Sequence, residues 1–277
     1  MAAAGLDVEL SWTGSSDALM LGLIEGDYDV IQAAPDNVIA WRDKTGVPIL
    51  AWYGGSSGPI SLVLGPGVES IEALRGGPVA VDFPNTGWAP IMLRILAQHG
   101  ISASEVEQVP MGATAKVFAA ITEGRAPAGM LNEPWATRAV GLGARVAADH
   151  RSVAPRLATS AGASLENWLE GHATTALSFL RAIVGATTEI LDPDERAAVT
   201  AALADHLGAN TDEATALYAG HVDPARGWPP SAYLDPGGIE ALLELRGVST
   251  EGSKSAPEGA DRYLTGQVYR TAFDASH

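Results

Sequence analysis

The sequence of 277 residues contains no cysteine, which excludes disulfide bonds, thiolate chemistry and cysteine-ligated zinc. It has only three lysines, Lys44, Lys116 and Lys254, and its formal net charge is −16. Nucleic acids and anionic membranes bind concentrated positive charge, so neither is expected as the main partner. No apolar run reaches the length of a transmembrane helix, so membrane insertion is not expected.

Signals for export, metals and cofactors are also absent from the sequence. Residues Met1 to Asp7 have neither the basic start nor the long apolar core of a secretion signal. As written, the sequence predicts a cytoplasmic protein, and it predicts an extracytoplasmic one if the chain is a processed or shortened form. The six histidines show no metal-type spacing, and no phosphate-cradling loop with its lysine occurs. Neither a metal nor a cofactor is therefore expected.

The sequence contains an internal repeat. Residues 106–135 resemble a segment 98 positions earlier, and the matching pairs are Val8-Glu9 with Val106-Glu107, Gly14 with Gly112, and Glu25-Gly26 with Glu123-Gly124. Each copy has the pattern of a strand, a glycine turn, a helix, a second apolar strand and a polar loop. Two such β-α-β units predict two similar lobes with parallel sheets.

The remaining segments complete this plan. Leu6–Trp12 is predicted as the first strand, and Val47–Trp52 leads into small residues from Tyr53 to Gly58 that suit a hinge. From Glu166 onward the apolar residues recur at helical spacing. Asp192-Pro193 and Asp235-Pro236 have the cap and first-turn proline of helix starts.

Four segments, in this order, resemble the periplasmic substrate-binding proteins of ABC importers. They are Leu6–Leu10, Gly26–Val30, Gly76–Val81 followed by Asn85–Gly87, and Asn132–Trp135. The group that they resemble spans the nitrate-, sulfonate- and taurine-binding proteins and the NMT1/THI5-like proteins.

That resemblance implies the type 2 periplasmic binding protein fold. This is an α/β fold with two Rossmann-like lobes, joined by a two-strand hinge, and a ligand cleft between them. Lobe 1 is assigned residues 1–59 and 158–277, with the C-terminal helices packed on it. Lobe 2 is assigned residues 60–157.

One departure from the family concerns the first lobe. Members normally have a strand and a helix before the segment that corresponds to Leu6–Leu10, and that strand is central to the sheet. The strand is absent here. We expect Val8–Trp12 to pair directly with Asp29–Ala33, or another chain to fill the gap, because folded proteins cover exposed strand edges.

Ligands of open parallel sheets bind beyond the carboxyl ends of the strands, where loops and helix N-termini meet. The candidate ligand-binding residues in these loops and in the hinge are Trp12, Thr13, Gly14, Ser15, Ser16, Pro35, Asp36, Tyr53, Gly54, Asn85, Thr86, Gly87, Trp88, Asn132, Glu133 and Trp135. The hydroxyl residues suit helix capping, ligand contact or both. The tryptophans suit either the core or an aromatic-lined pocket.

The leading functional hypothesis is a solute-binding protein that captures a small organic, partly aromatic or apolar ligand by lobe closure. An ABC permease is its possible partner through the resemblance. The alternative is a cytoplasmic enzyme on the same fold, either a lyase, decarboxylase or dehydratase, or a thiamine-pyrimidine synthase-like protein. Asp36, Glu133 and His150 are its acid–base candidates. The pyrimidine synthase pattern uses a histidine and cysteines that have no counterpart here. A sensor or regulatory domain is the third hypothesis.

Overall fold

The computed structural model describes residues 1, 4–55, 58–84, 88–222, 229, 231–247 and 259–273. Within these residues eight strands form one three-stranded and one five-stranded sheet. The strands are β1 (Ile31–Ala33), β2 (Ile49–Gly54), β3 (Ser61–Leu64), β4 (Pro78–Val81), β5 (Glu107–Pro110), β6 (Ala128–Leu131), β7 (Arg145–Asp149) and β8 (Ala161–Leu165).

Helices surround both sheets. They are α1 (Ser16–Glu25), α2 (Pro35–Thr45), α3 (Ala89–Gln98), α4 (Thr114–Thr122), α5 (Trp135–Gly141), α6 (Glu166–Gly171), α7 (Ala173–Leu191), α8 (Arg196–Leu207), α9 (Thr211–Val222), α10 (Pro236–Leu245) and α11 (Gln267–Phe273). Short 3₁₀ helices occupy Ile71–Leu74, Ala103–Glu105, His150–Ser152, Pro193–Glu195 and Ala260–Arg262. Among the helices of the described chain, none combines the length and apolar character needed to span a membrane.

Local sequence signals explain where several helices begin and end. The Ser15 side chain accepts a hydrogen bond from the Ala18 amide, and α1 ends at Gly26, whose φ of 86° is left-handed. The Asp235 side chain caps α10 by accepting from the Gly237 amide. Asp192 caps the 3₁₀ turn that precedes α8. Both predicted Asp-Pro start signals are therefore present in the structure.

The five-stranded sheet has the order β5-β4-β6-β3-β7. Strand β4 is parallel to β5 and β6, while β3 is antiparallel to both β6 and β7. The carboxyl ends of β4, β5 and β6 consequently meet at one edge. Apolar side chains on these strands, such as Leu62, Val79 and Ala128, are completely buried against the flanking helices.

The three-stranded sheet has the order β1-β8-β2, and both pairings are antiparallel. The chain leaves it between β2 and β3 and returns between β7 and β8, so two crossovers connect the two sheets. The two lobes and the two crossovers agree with the predicted α/β arrangement with a two-strand hinge. The prediction of a parallel sheet in the first lobe is wrong for the described residues, because Leu6–Trp12 forms no strand and both strand pairings are antiparallel. The exact lobe boundaries, 59/60 and 157/158, stay a prediction.

The N-terminal segment departs from the prediction. Leu6–Trp12 is not a strand, and β1 pairs only with β8 among the described residues. The predicted direct pairing of Val8–Trp12 with Asp29–Ala33 is therefore wrong. The physical reason is that a strand needs a neighbouring ladder and an apolar surface, whereas Leu10 and Trp12 are 80% and 83% exposed. That another chain fills the gap stays a prediction.

The C-terminal helices pack on the three-stranded sheet, as expected, and three of them also contact helices that flank the other sheet. Buried residues of β2 pack with α6, α7 and α11. Helix α10 packs against α3, which flanks the five-stranded sheet. The α8–α9 hairpin contacts α5 through an ion pair between Arg138 Nε and Glu213 Oε1 at 2.6 Å.

Candidate functional site

The candidate cleft lies at the edge where the parallel strands of the five-stranded sheet end. Asp82 follows β4, Gly112 follows β5, and Asn132 follows β6. The Gly112 amide donates to the Asp82 carbonyl at 2.9 Å, which holds the first two loops together. Gly112 has a φ of 81°, a left-handed conformation that glycine adopts without strain.

Both crossovers leave the sheet at this same edge. Because β3 is antiparallel to β6, Ser61 at the start of β3 lies opposite Leu131 at the end of β6. Ser61 also lies opposite Asp149 at the end of β7. The chain enters β3 from the three-stranded sheet and returns to that sheet after β7. The ends of β4, β5 and β6 therefore face the other lobe.

Three buried polar atoms at this edge have no hydrogen-bond partner within the described chain. They are Asp82 Oδ1, Asn132 Oδ1 and Trp88 Nε1. Leaving a buried donor or acceptor unsatisfied costs about 1–3 kcal/mol, so natural structures rarely retain one without a reason. Three such atoms on adjoining elements make this edge the candidate ligand site.

Asp82 combines burial with an altered acidity. Burial raises the pKa of the Asp82 carboxyl to about 6, and a hydrogen bond from Thr114 Oγ1 to Oδ2 at 3.4 Å offsets this only in part. The carboxyl is therefore mainly ionised at neutral pH and mainly protonated at pH 5. It is an acceptor that lacks the solvation it would have in water.

The other predicted residues of the five-stranded sheet have partners of their own. Glu133 Oε2 accepts from the Thr137 amide at 3.2 Å, so this side chain caps α5. The Trp135 ring lies 5.0 Å from the Phe118 ring, and the Arg138 guanidinium lies 5.4 Å from its centre. The Trp135 ring is thus packed between Phe118 and Arg138 at the start of α5.

His150 ties the two crossovers together. It is 2% exposed, and its Nδ1 accepts from the Ile60 amide at 3.1 Å while its own amide donates to the Ile60 carbonyl at 2.9 Å. Burial lowers the pKa of His150 to about 4. A neutral imidazole with this partner stabilises the hinge.

Asp36 is held in an ion pair within the core of the other lobe. Its side chain is 2% exposed, and Oδ1 accepts from Arg246 Nη1 at 2.8 Å. Pro35 is the first residue of α2. The three acid–base candidates Asp36, Glu133 and His150 each have a structural partner.

The N-terminal loop residues differ in their placement. Thr13 Oγ1 donates to the Ser15 carbonyl, and Ser15 caps α1, so both help to form the turn before Ser16 at the start of that helix. Gly14 has open space beside it. Trp12 lies against α8, with its ring centre 5.7 Å from that of His206.

The predicted hinge residues Tyr53 and Gly54 belong to the end of β2. Tyr53 is buried and its ring covers Gly162, where an added Cβ would lie 1.7 Å from the ring. The Gly54 amide donates to the Ala232 carbonyl at 2.8 Å. A further predicted segment, Asn85, Thr86 and Gly87, lies outside the described residues.

Sequence reasoning named the loop that begins at Asp82 but did not select Asp82 itself. Its position directly after the apolar residues Val79–Val81, which belong to β4, could have identified it. A cavity of about 660 Å³ lies beside β2 and α11, and its lining includes Trp52, Tyr233, Tyr269 and Arg270. None of the three unpartnered atoms lines it. The strand ends are therefore the candidate site.

Comparisons with known proteins agree with this architecture. The model of the NMT1-like family matches residues 60–204, just over half of the chain. The periplasmic nitrate-binding protein NrtA of Synechocystis PCC 6803 is 14% identical, with a TM-score of 0.76 over 98% of this chain and 81% of that chain.

Two further solved structures are similar. The ligand-binding component of an ABC-type import system from Staphylococcus aureus is 16% identical, with a TM-score of 0.74 over 96% of this chain and 88% of that one. The periplasmic aliphatic sulphonate binding protein SsuA from Escherichia coli is 16% identical, with a TM-score of 0.63 over 85% and 74%. These likenesses establish the periplasmic binding protein fold. A search of the curated proteins found no match.

Proposed function

Because the chain belongs to the NMT1-like family, we propose that it is a solute-binding protein that captures a small organic ligand by closure of its two lobes. The observation that carries this proposal is the set of three unpartnered buried atoms, on Asp82, Trp88 and Asn132. They lie where the strand ends of one lobe face the other. A bound ligand would satisfy them and recover part of their desolvation cost.

The proposed ligand is neutral or weakly charged and partly aromatic or apolar. Trp88 and Trp135 provide indole surface at the edge, and aromatic side chains favour flat apolar bodies. The carboxyl groups of Asp82 and Glu133 border the same edge and would repel a dianion. Nitrate and sulphonates are the ligands in the names of two similar proteins, and this chain is proposed to differ from both.

The proposed partner is an ABC permease, and the proposed location is extracytoplasmic. Support comes from the similar structures, of which one is named as a component of an ABC-type import system and two as periplasmic. The acidic net charge of −16 is compatible with a freely diffusing carrier. Fractionation of cells that produce the protein from its complete native gene would test the location.

An enzyme remains the second candidate, favoured by one observation. The pKa of Asp82, raised to about 6 by burial, suits an acid–base catalyst that works near neutral pH. A lyase-type reaction would use this carboxyl on a ligand held at the strand ends. Mass spectrometry of each bound compound after prolonged incubation tests this, since a binding protein returns its ligand unchanged.

Calorimetry over a ligand panel, together with small-angle X-ray scattering, tests the leading proposal. The panel contains small aromatic and alkyl compounds that are neutral, cationic or anionic, and it includes nitrate, sulfate and taurine. We expect an aromatic or apolar compound to bind and the radius of gyration to fall. Trp88→Phe removes the indole N–H and part of the ring surface and should weaken binding about tenfold or more, whereas the exposed Glu107→Gln should change nothing.

Two results would count against the proposal. Tight binding of nitrate, sulfate or taurine without binding of any aromatic or apolar compound would show that the ligand class is wrong. A bound ligand that leaves the radius of gyration unchanged would show that the lobes do not close on it.

A further inference from the structure

We propose that the ligand presents a hydrogen-bond-donating nitrogen, an amino or amidino group on an apolar or aromatic body, to the side-chain oxygens of Asp82 and Asn132. This inference rests on the proposed function and specifies its ligand class. Its basis is the kind of atom left unpartnered at the strand ends: two acceptors, Asp82 Oδ1 and Asn132 Oδ1, and one donor, Trp88 Nε1.

The two acceptors lie at neighbouring strand ends. Asp82 and Asn132 directly follow β4 and β6, which are neighbours in the sheet. Neighbouring strands lie about 4.8 Å apart. A ligand at this edge can donate to these oxygens from its nitrogen atoms at about 2.9 Å. Trp88 immediately precedes α3, the helix that follows β4, and its indole would donate to an acceptor atom elsewhere on the ligand.

Charge also favours a nitrogen over an oxyanion. An ionised Asp82 has lost most of its solvation, and a cation or strong donor beside it would restore that stabilisation. An anionic ligand would add a second negative charge to the same desolvated place. A primary amine or amidine is therefore the group that completes this site.

Among the described residues, the charged side chains near Asp82 do not donate to its carboxyl oxygens. Helix α4 contributes Lys116, which is exposed and lies 4.0 Å from the Cβ position of Gly112. The loop after β6 contributes Glu133, which caps α5. The polar contact to Asp82 itself is the Thr114 hydroxyl at 3.4 Å, and the rise in pKa to about 6 reflects burial.

Ligand binding beside Asp82 should be coupled to release or uptake of protons, and the ligand's charge decides which. A bound ammonium or amidinium would lower the pKa of Asp82 from about 6 towards its ordinary value, so binding between pH 5 and 7 would release protons. Affinity would therefore fall as the pH falls below 6. A bound anion would raise that pKa further, and binding would take up protons.

The experiment compares matched compounds on the intact protein. Benzylamine and benzamidine carry the donor nitrogen, benzyl alcohol is uncharged and of similar size, and benzoate is anionic; alkyl amines of three to ten carbons extend the series. Titration calorimetry in two buffers of different ionisation enthalpy gives both the affinity and the protons exchanged. Thermal shifts provide an independent readout of binding.

We expect at least one amine or amidine to bind more tightly than its uncharged and anionic counterparts, with proton release at pH 6. Asp82→Asn should reduce this affinity about thirtyfold or more, because it removes one partner of a buried charge pair. The exposed control Glu107→Gln should keep the parent affinity and the parent proton release. Thermal unfolding of both variants confirms that they are folded.

Four outcomes would overturn the inference. The first is preferred binding of benzyl alcohol or benzoate, which leaves the proposed solute-binding function intact. The second is amine binding that Asp82→Asn does not weaken, and the third is uptake of protons on amine binding. Failure of every amine and amidine to bind also overturns the inference, and failure of all classes in the wider panel would remove the proposed function with it.

Discussion

The ion pair between Asp36 and Arg246 offers the sharpest test of the packing between α2 and the end of α10. The Asp36 side chain is 2% exposed and that of Arg246 18%, with a separation of 2.8 Å. Removing one partner of a buried pair leaves a charge without compensation and costs about 3–5 kcal/mol. Arg246→Met should lower the free energy of unfolding by about that amount. At about 2–4 °C per kcal/mol for a chain of this size, the melting temperature should fall by about 6–20 °C.

Two further variants separate charge from packing. Asp36→Asn combined with Arg246→Met removes both charges, so we expect it to be more stable than Arg246→Met alone. Arg156→Met breaks the pair with Asp235, whose side chains are 68% and 47% exposed, and should cost less than about 1 kcal/mol. Urea unfolding followed by circular dichroism gives these values. Equal stability of Arg246→Met and Arg156→Met would refute the reasoning.

Three other substitutions probe the cleft and its surroundings. The pKa of Asp82 is about 6 in the folded state and lies above its ordinary 3.8. Ionisation of the buried carboxyl therefore destabilises the fold increasingly from about pH 4, and the effect is complete above about pH 6. Asp82→Asn should thus raise the free energy of unfolding at pH 8 by up to about 3 kcal/mol and leave it unchanged at pH 4; urea unfolding with equal effects at both pH values would contradict this. Trp135→Ala should weaken ligand binding by about 2–4 kcal/mol in calorimetry if the ring stacks on the ligand, and an unchanged affinity would show that it does not. Glu213→Gln breaks the ion pair with Arg138 and should speed hydrogen exchange in α8 and α9, while unchanged exchange would mean that the pair does not hold the hairpin.

Sequence reasoning succeeded where the signal is local. The second repeat unit has a glycine turn at Gly112, an apolar run at Ala128–Leu131 and a polar loop after it. The structure has a helix and two strands at the expected places. Cap residues are equally local, because Ser15 and Asp235 act on amides two or three residues away. Such features depend on a few neighbouring residues and so can be read from the sequence.

The failures arise where a structure depends on distant partners. Val8–Trp12 alternates apolar and polar residues as a strand does, yet a strand also requires a neighbouring ladder, which a local pattern does not specify. Asp36 has the appearance of a free carboxylate in a strand-end loop. Its partner Arg246 lies 210 positions later. Only the folded chain reveals that this charge is already neutralised.

Asp36 and Asp82 show how the same residue type takes opposite roles in one fold. Both are carboxylates withdrawn from water at the end of a strand or soon after it. Asp36 has an arginine as its ion-pair partner, so its charge is compensated within the protein. Asp82 has a weak hydrogen bond from a hydroxyl and an unpartnered oxygen, so its charge is a cost that the free protein bears. Selection for stability alone would remove such a cost, and the proposed ligand, by compensating the charge, would give the fold a reason to keep it.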